Sequence, residues 1–167
     1  MGELTRRELA WMDTIHRTEA KTKFFRFITE ITDNCIDWYI VAALFFINPA
    51  TRIITYRFFA ALALEFVICH LLLKPLTKRE RPFVYNGKPY LIKKRPMDKS
   101  FPSGHSAWSF CMVSVVGMAQ SIWFIPILIL ALLVCYSRVY LNVHYPSDVA
   151  GGILLGIACG ILFSIII

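Results

Sequence analysis

The clearest indication of the fold comes from residues 137–167, the stretch SRVYLNVHYPSDVAGGILLGIACGILFSIII. Its second part, 147–167, is one apolar run. Twenty-one helical residues rising 1.5 Å each cover about 30 Å, the thickness of a hydrocarbon core. Its first part places Arg138 and His144 just before that run, and Asp148 lies at the start of the run. The stretch therefore predicts a membrane-spanning helix that begins at a cluster of chemically active side chains.

The composition of the whole chain is that of a membrane protein. Of its 167 residues, 57% are hydrophobic, above the roughly 45–50% of soluble domains. Charged residues make up 17%, below the usual ~25%. A soluble domain of this size could not bury so much apolar surface, whereas a bilayer accepts it. The first twenty residues are charged and lack the apolar run of a cleavable signal peptide.

The apolar pattern predicts an all-α fold. We expect an integral membrane helical bundle of about five transmembrane helices, preceded by an N-terminal amphipathic interfacial helix over 3–22; a plain solvated helix is the alternative for that segment. The chain then divides into an amphipathic segment, 1–23, and a single transmembrane domain, 24–167. The expected spans are 24–47, 53–73, 103–121, 126–141 and 147–167.

Two further features concern packing and loops. Gly152, Gly156 and Gly160 recur every four residues, which allows close helix contact, either within the monomer or in a dimer. The loop 74–102 is rich in proline and is expected to be non-helical. It holds nine of the 18 Lys and Arg residues, and long loops on a rigid scaffold often carry function.

Three polar clusters stand at predicted helix ends. They are Lys74-x6-Arg81-Pro82, Pro102-Ser103-Gly104-His105 and Ser137-Arg138-x5-His144-x3-Asp148. Counting the helices places all three on one side of the membrane. Residues far apart in sequence are therefore expected to converge on one site.

The residue types in these clusters suit a phosphate. Lys74, Arg81 and Arg138 bring three cations together, which is costly near lipid unless an anion binds there. Ser103 is a good helix N-cap and Gly104 permits close approach, so this helix start offers free amides to an anion. No acidic or Cys/His pattern of metal ligands occurs, so we expect no metal and no cofactor. The five cysteines form no CxxC pair and are interpreted as core residues.

Two histidines lie close in sequence to these candidates for a phosphate-binding cradle, and they can supply the chemistry. One of His105 and His144 can attack phosphorus while the other protonates the leaving oxygen. Asp148 follows His144 by four residues, and a carboxylate on one imidazole nitrogen makes the other a better nucleophile. His16 and His70 are interpreted as interfacial residues.

These clusters resemble the three-part signature of the type-2 phosphatidic acid phosphatase superfamily, and match it at every motif position. The resemblance implies a metal-independent phosphatase in which His144 is the nucleophile, His105 the general acid and Asp148 the residue that orients His144. It implies that five residues hold the phosphoryl oxygens: Lys74, Arg81, Ser103, Gly104 and Arg138. Many membrane members place the first motif after a third span, whereas here it follows the second.

The signature binds the phosphate and does not choose the lipid. A polyprenyl pyrophosphate is the favoured substrate, with phosphatidylglycerophosphate or phosphatidic acid as alternatives. A lipid-phosphate binder without catalysis, and transfer of the phosphate to another acceptor, stay open. The expected partners are the lipid bilayer and a lipid phosphate, not nucleic acid, and the oligomeric state is undetermined. The cluster Lys93-Lys94-Arg95 is a candidate for reading the headgroup.

The membrane face and the intramembrane acids complete the expectations. The resemblance implies a bacterial plasma-membrane protein with an extracytoplasmic site, whereas the distribution of positive charge favours a cytoplasmic one. Glu65 is expected to pair with Arg57 or with a neighbouring helix. Asp33 and Asp37 are expected near the interface, in pairing or entrance roles rather than in catalysis.

Overall fold

A computed structural model describes residues 2–167, apart from the side chain of Asn34. All regular structure in that part is helical, which confirms the all-α prediction. The α-helices are α1 (Glu3–Asp13), α2 (Glu19–Ile31), α3 (Ile36–Ile47), α4 (Arg52–Phe66), α5 (Lys74–Thr77), α6 (Pro82–Tyr85), α7 (Gly104–Met118), α8 (Phe124–Tyr140) and α9 (Pro146–Ile166). A 3₁₀ turn, Asp33–Cys35, precedes α3, and a π-helical segment, Val67–Leu73, joins α4 to α5.

The N-terminal segment 3–22 does not form the single helix that was predicted. Helix α1 ends at Asp13 and α2 begins at Glu19. The break follows from Thr18, whose hydroxyl accepts a hydrogen bond of 3.3 Å from the amide of Lys21. Such an N-cap starts a new helix because it satisfies an amide that has no partner within the helix.

The predicted first span, 24–47, is also broken. Helix α2 ends at Ile31, and the 3₁₀ turn separates it from α3. Cys35 at the end of that turn has φ +62°, a left-handed conformation that an α-helix cannot continue through. The polar residues Thr32 and Asp33 favour such turns over helix interiors, and this local preference prevailed over the apolar pattern.

Helices α7 and α9 form the closest pair in the bundle. A Cβ atom on Gly152 would lie 2.4 Å from the carbonyl oxygen of Ser103. One on Gly156 would lie 2.3 Å from the carbonyl oxygen of Ala107, and Gly160 is similarly enclosed. The glycine face therefore packs within the monomer, as the first of the two expectations stated. This contact fixes the start of α7 beside the start of α9.

The helical run that begins with α4 continues further than predicted. The loop 74–102 opens with the helical turn of α5 and contains α6, so the expectation that it is non-helical is wrong there. Pro75 and Pro82 lie in the first turns of these short helices, where the missing N–H of proline costs nothing.

Two stretches, Arg52–Tyr85 and Pro146–Ile166, are long and apolar enough to cross a membrane. Ile36–Ile47 and Phe124–Tyr140 are apolar but shorter, so the number of five spans stays a prediction. Helices α7 to α9 begin and end within three residues of their predicted bounds.

The expected pair between Glu65 and Arg57 is not formed. Both carboxylate oxygens of Glu65 and the Nε of Arg57 are buried without a hydrogen-bond partner among the described residues. The carboxylate of Asp37 is in the same situation. Asp33, by contrast, lines the cavity described below.

Candidate active site

A cavity of about 490 Å³ lies where the ends of α5, α7 and α8 meet. We call it the polar cavity. Its wall is formed by Thr29, Glu30, Asp33, His70, Lys74, Arg81, Ile92, Lys93, Lys94, Arg95, Pro96, Asp98, Gly104, His105, Trp108, Arg138 and His144. All three sequence clusters contribute to this wall, so the tertiary structure brings them to one place.

Eight residues were predicted to form the site, and six of them line the polar cavity: Lys74, Arg81, Gly104, His105, Arg138 and His144. The other two, Ser103 and Asp148, are fully buried behind the wall. Ser103 is the N-cap of α7, since its hydroxyl accepts a hydrogen bond from the amide of Ser106. The Ser103 amide donates to the carbonyl oxygen of Asp148 at 2.9 Å, which ties the starts of α7 and α9 together.

Asp98 bridges two of the three cations. Its carboxylate accepts a hydrogen bond of 2.6 Å from Nη2 of Arg81 and also pairs with Nζ of Lys74. Burial alone would raise the pKa of Asp98, but the charges of Arg81 and Lys74 outweigh burial and hold that pKa below its usual range. Asp98 is therefore ionised at neutral pH and is the anion that Lys74 and Arg81 contact.

The third cation, Arg138, has an N–H group that is free to bind a ligand. Arg138 is almost wholly buried and donates from Nη1 to the Thr29 hydroxyl at 2.9 Å. Its Nε has no hydrogen-bond partner among the described residues. A buried guanidinium with an unused N–H is prepared to bind an additional acceptor.

The hydrogen bonds of His144 define its tautomer. Nη1 of Arg81 lies 3.0 Å from Nε2 of His144. Arginine nitrogens only donate, so Nε2 accepts and the ring proton is on Nδ1. Nδ1 lies 3.6 Å from Oδ2 of Asp148, so the protonated nitrogen faces the carboxylate. The lone pair of Nε2 consequently points toward the cations of the cradle.

The electrostatic surroundings keep His144 neutral. Burial lowers the pKa of His144 well below its ordinary value, and the nearby charges of Arg81, Arg138 and Lys74 lower it further. A neutral imidazole keeps its lone pair at physiological pH. His144 is therefore available as a nucleophile over a wide pH range.

His105 occupies the first turn of α7. Its ring packs against Trp108 with 5.0 Å between the ring centroids. Its Nε2 lies 3.8 Å from Oδ1 of Asp33 and has no hydrogen-bond partner among the described residues. The ring can therefore exchange a proton with a group bound in the cavity.

Several residues of the wall were not predicted from the sequence, and the interpretation of one was wrong. His70 is not merely interfacial: it lines the polar cavity, stacked between Phe66 and Trp108. Its position four residues before Lys74, one helical turn away, could have indicated this. Asp98 could have been found as the one acidic residue between Arg81 and Pro102.

A family model described as PAP2 superfamily matches residues 54–167. The chain belongs to the PAP2 superfamily. The match confirms the resemblance inferred from the three clusters, and it includes every residue of those clusters. Among the residues that the structure describes, no group of three His, Cys, Asp or Glu side chains is placed to hold a metal ion.

Several proteins with assigned activities are similar to this PAP2 chain. An undecaprenyl-diphosphatase of Sulfolobus acidocaldarius is 37% identical over 124 residues, which cover 71% of this chain and 58% of that protein. A decaprenylphosphoryl-5-phosphoribose phosphatase of Mycobacterium tuberculosis is 31% identical over 137 residues, which cover 81% of this chain and 74% of that protein. This chain thus matches less than two thirds of the Sulfolobus protein's length.

Two crystal structures resemble this PAP2 chain over nearly its whole length. Aquifex aeolicus LpxE aligns with a TM-score of 0.78 and 26% identity, covering 96% of this chain and 92% of that one. A PAP2-type phosphatidylglycerolphosphate phosphatase of Bacillus subtilis aligns with a TM-score of 0.79, covering 99% of this chain and 87% of that one. The latter is 22% identical, so its likeness concerns the fold alone.

Proposed function

We propose that this protein is an integral membrane phosphatase that hydrolyses a lipid phosphate through a covalent intermediate on His144. The observation that carries the proposal is the contact between Nη1 of Arg81 and Nε2 of His144. That contact aims the lone pair of a neutral imidazole into a buried cluster of cations. Such a cluster suits an anionic group with several oxygens, and a phosphate is the anion that matches it.

In the proposed first step, the substrate phosphate replaces Asp98 between Lys74 and Arg81 and accepts from Arg138. Nη1 of Arg81 shifts from Nε2 of His144 to a phosphate oxygen, which frees the Nε2 lone pair. Nε2 then attacks phosphorus, a P–N bond forms, and the P–O bond to the leaving group breaks. His105, in its protonated form, gives a proton to the leaving oxygen and becomes neutral. Arginine and lysine donors stabilise the charge that develops on the equatorial oxygens, and losing one such donor typically costs about 10²–10³ in kcat.

In the second step, His105 takes a proton from water, and the water oxygen attacks phosphorus. The P–N bond breaks, and inorganic phosphate and neutral His144 are released. Asp148 stabilises the positive charge that the ring carries in the intermediate, because its carboxylate faces Nδ1. Ser103 contributes by capping α7, which directs the free amides of Gly104 and His105 toward the phosphate.

We favour a polyprenyl diphosphate as the substrate. The support is the similarity to the Sulfolobus undecaprenyl-diphosphatase, together with the basic residues Lys93, Lys94 and Arg95 on the wall of the same cavity. A second phosphate would meet these side chains while the first is held by the cradle. Phosphatidylglycerophosphate is the second candidate, since a phosphatidylglycerophosphatase B of Bacillus subtilis is 38% identical over 69 residues.

Phosphate release from purified protein in mild detergent with EDTA tests the proposal. The panel contains undecaprenyl pyrophosphate, undecaprenyl phosphate, phosphatidylglycerophosphate and phosphatidic acid. His144→Gln is expected to abolish release, and the matched control His16→Gln, at an exposed histidine, is expected to retain it. Acid-labile, base-stable labelling of the wild type by a ³²P-labelled substrate would report the phosphohistidine. No release from folded wild-type protein would refute hydrolysis and favour a binder or a phosphotransferase.

The role of the basic wall has its own test. Replacing Lys93, Lys94 and Arg95 together with Gln is expected to lower kcat/KM for a diphosphate lipid more than for a simple monoester. Equal losses on both substrates would contradict a contact with the second phosphate.

A further inference from the structure

We propose that Arg79 is a positioning residue for catalysis that holds Asp148 against His144, and that Glu8 of helix α1 holds Arg79 in turn. This role presupposes the proposed hydrolysis through His144. Neither Arg79 nor Glu8 lines the polar cavity, so both act through Asp148 and not on the substrate.

Asp148 is fully enclosed by donors. Its Oδ1 accepts a hydrogen bond of 2.6 Å from Nη1 of Arg79. Its Oδ2 accepts from the hydroxyl of Ser100 and, at 2.9 Å, from the amide of Tyr145, and the same oxygen faces Nδ1 of His144. The Arg79 guanidinium is the cation of this group, and it orients Asp148 together with the Ser100 hydroxyl and the Tyr145 amide.

Arg79 is itself held on its other side. Its Nη2 donates to Oε2 of Glu8 at 2.6 Å, and its Cζ lies 4.1 Å above the centre of the Tyr145 ring. Oε1 of Glu8 accepts from the amide of Ser147 at 2.7 Å. The first helix therefore closes a chain of contacts that ends at the catalytic imidazole.

Helix α1 is docked on the protein around Glu8. Glu8, Leu9 and Met12 are the buried residues of this helix, and Leu9 and Met12 belong to the main hydrophobic core. A segment that only rested on a bilayer would turn its apolar side to lipid and its carboxylates to water. Burial of Glu8, together with its bond to the start of α9, indicates a role in the site.

The charge of Arg79 matters because a buried carboxylate without a cation takes up a proton. A protonated Asp148 would present no negative charge to Nδ1 of His144, 3.6 Å away, and it would stabilise the imidazolium less. The tautomer that exposes the Nε2 lone pair would lose its support. Removing Arg79 is therefore expected to act on turnover, while the cations that bind the phosphate stay in place.

The test is the pH dependence of phosphate release by the purified full-length protein from undecaprenyl pyrophosphate. The variants are Arg79→Met, Arg79→Gln, Arg79→Lys and Glu8→Gln. Lys78→Met and Glu3→Gln serve as controls, because both positions are exposed. Thermal unfolding of each variant reports whether it is folded.

Arg79→Met is expected to lower kcat about 100-fold or more, as when the aspartate of a histidine–aspartate pair is disabled, with KM little changed. Loss of a cation raises the pKa of a carboxyl group. The acidic limb of the plot of kcat against pH should therefore move to higher pH by about one unit or more. Arg79→Lys should restore part of kcat. Glu8→Gln should lower kcat less, and should lower it no further in the Arg79→Met background, because it acts through Arg79.

A wild-type kcat and acidic limb in folded Arg79→Met would overturn the positioning role while leaving the proposed hydrolysis intact. Additive losses for Glu8→Gln and Arg79→Met would overturn the part played by Glu8. If Arg79→Met does not fold, Arg79→Gln, which removes the charge but keeps a hydrogen-bond donor, decides: an acidic limb shifted to higher pH supports the role, and an unshifted limb refutes it. Absence of turnover in the wild type would refute the proposed function, and the positioning role with it.

Discussion

Replacing Asp98 with Asn changes the competition for the phosphate cradle. The Asp98 carboxylate contacts Lys74 and Arg81, the same two cations that the proposed mechanism assigns to the substrate. Asn keeps nearly the same shape and an acceptor oxygen, but removes the negative charge. We expect the empty site to become less stable and inorganic phosphate to bind more tightly.

The size of the effect follows from the two contacts. A hydrogen bond to a charged group contributes about 1.5–3 kcal/mol. The Asp98 side chain is 46% exposed, so solvent screening reduces each contact to roughly 1 kcal/mol. Since Asn retains part of the bond to Arg81, the total loss is about 1–2 kcal/mol, which corresponds to a ~5–30-fold decrease of the inhibition constant for phosphate.

Two measurements on purified protein check this prediction. The first is the inhibition constant of inorganic phosphate as a product inhibitor. The second is the midpoint of thermal unfolding without phosphate, which should fall by roughly 2–8 °C at ~2–4 °C per kcal/mol and recover when phosphate is added. Glu80→Gln is the matched control, because it removes a carboxylate that pairs with Lys99 outside the polar cavity.

The pH dependence has a definite sign. The pKa of Asp98 is depressed in the folded protein, so its contribution to stability is present above its unfolded pKa of about 3.9 and is lost only as the pH falls through the lower folded value. The stability difference between wild type and Asp98→Asn should therefore be equal at pH 5 and pH 8. An unchanged or higher inhibition constant for phosphate in Asp98→Asn would refute the competition.

Three further predictions concern the bundle, the third cation and the membrane face. Gly156→Ala should destabilise the protein by about 1–3 kcal/mol, because its Cβ would collide with the α7 backbone. Ala158→Val, on the exposed side of α9, is the control. Equal midpoints of thermal unfolding for Gly156→Ala and the wild type would contradict this prediction. Thr29→Val removes the hydroxyl that accepts from Arg138 and should raise KM roughly 5-fold, at about 1 kcal/mol for one hydrogen bond, with the secondary structure unchanged by circular dichroism. Met97→Cys, at a position that is 91% exposed, should react with a membrane-impermeant maleimide in intact cells if the site is extracytoplasmic; labelling only after lysis would place it on the cytoplasmic side.

Much of the site was readable from the sequence because its signals are local. The N-cap preference of Ser103, the spacing of the cations and the regular glycines of α9 each act within a few residues. Those signals predicted the ends of helices α7 to α9 to within three residues. They also identified six residues that share one cavity.

The N-terminal third was harder to predict because two local signals compete there. The apolar residues of 24–47 indicate one span, whereas Thr32 and Asp33 favour a turn. Propensity differences of this kind are below about 1 kcal/mol per residue, so packing decides between them. The structure resolves the conflict with the turn at Asp33–Cys35.

The chemistry of the site could be read from the sequence: cations, imidazoles and a carboxylate at the ends of apolar helices, on one side of the bundle. Which charges meet depends on the tertiary structure. Glu8 and Arg79 are 71 residues apart, and Asp98 contacts Lys74 from across the loop. Carboxylates are alike in sequence, and their partners depend on where the whole chain places them, because an ion pair requires contact within a few ångströms.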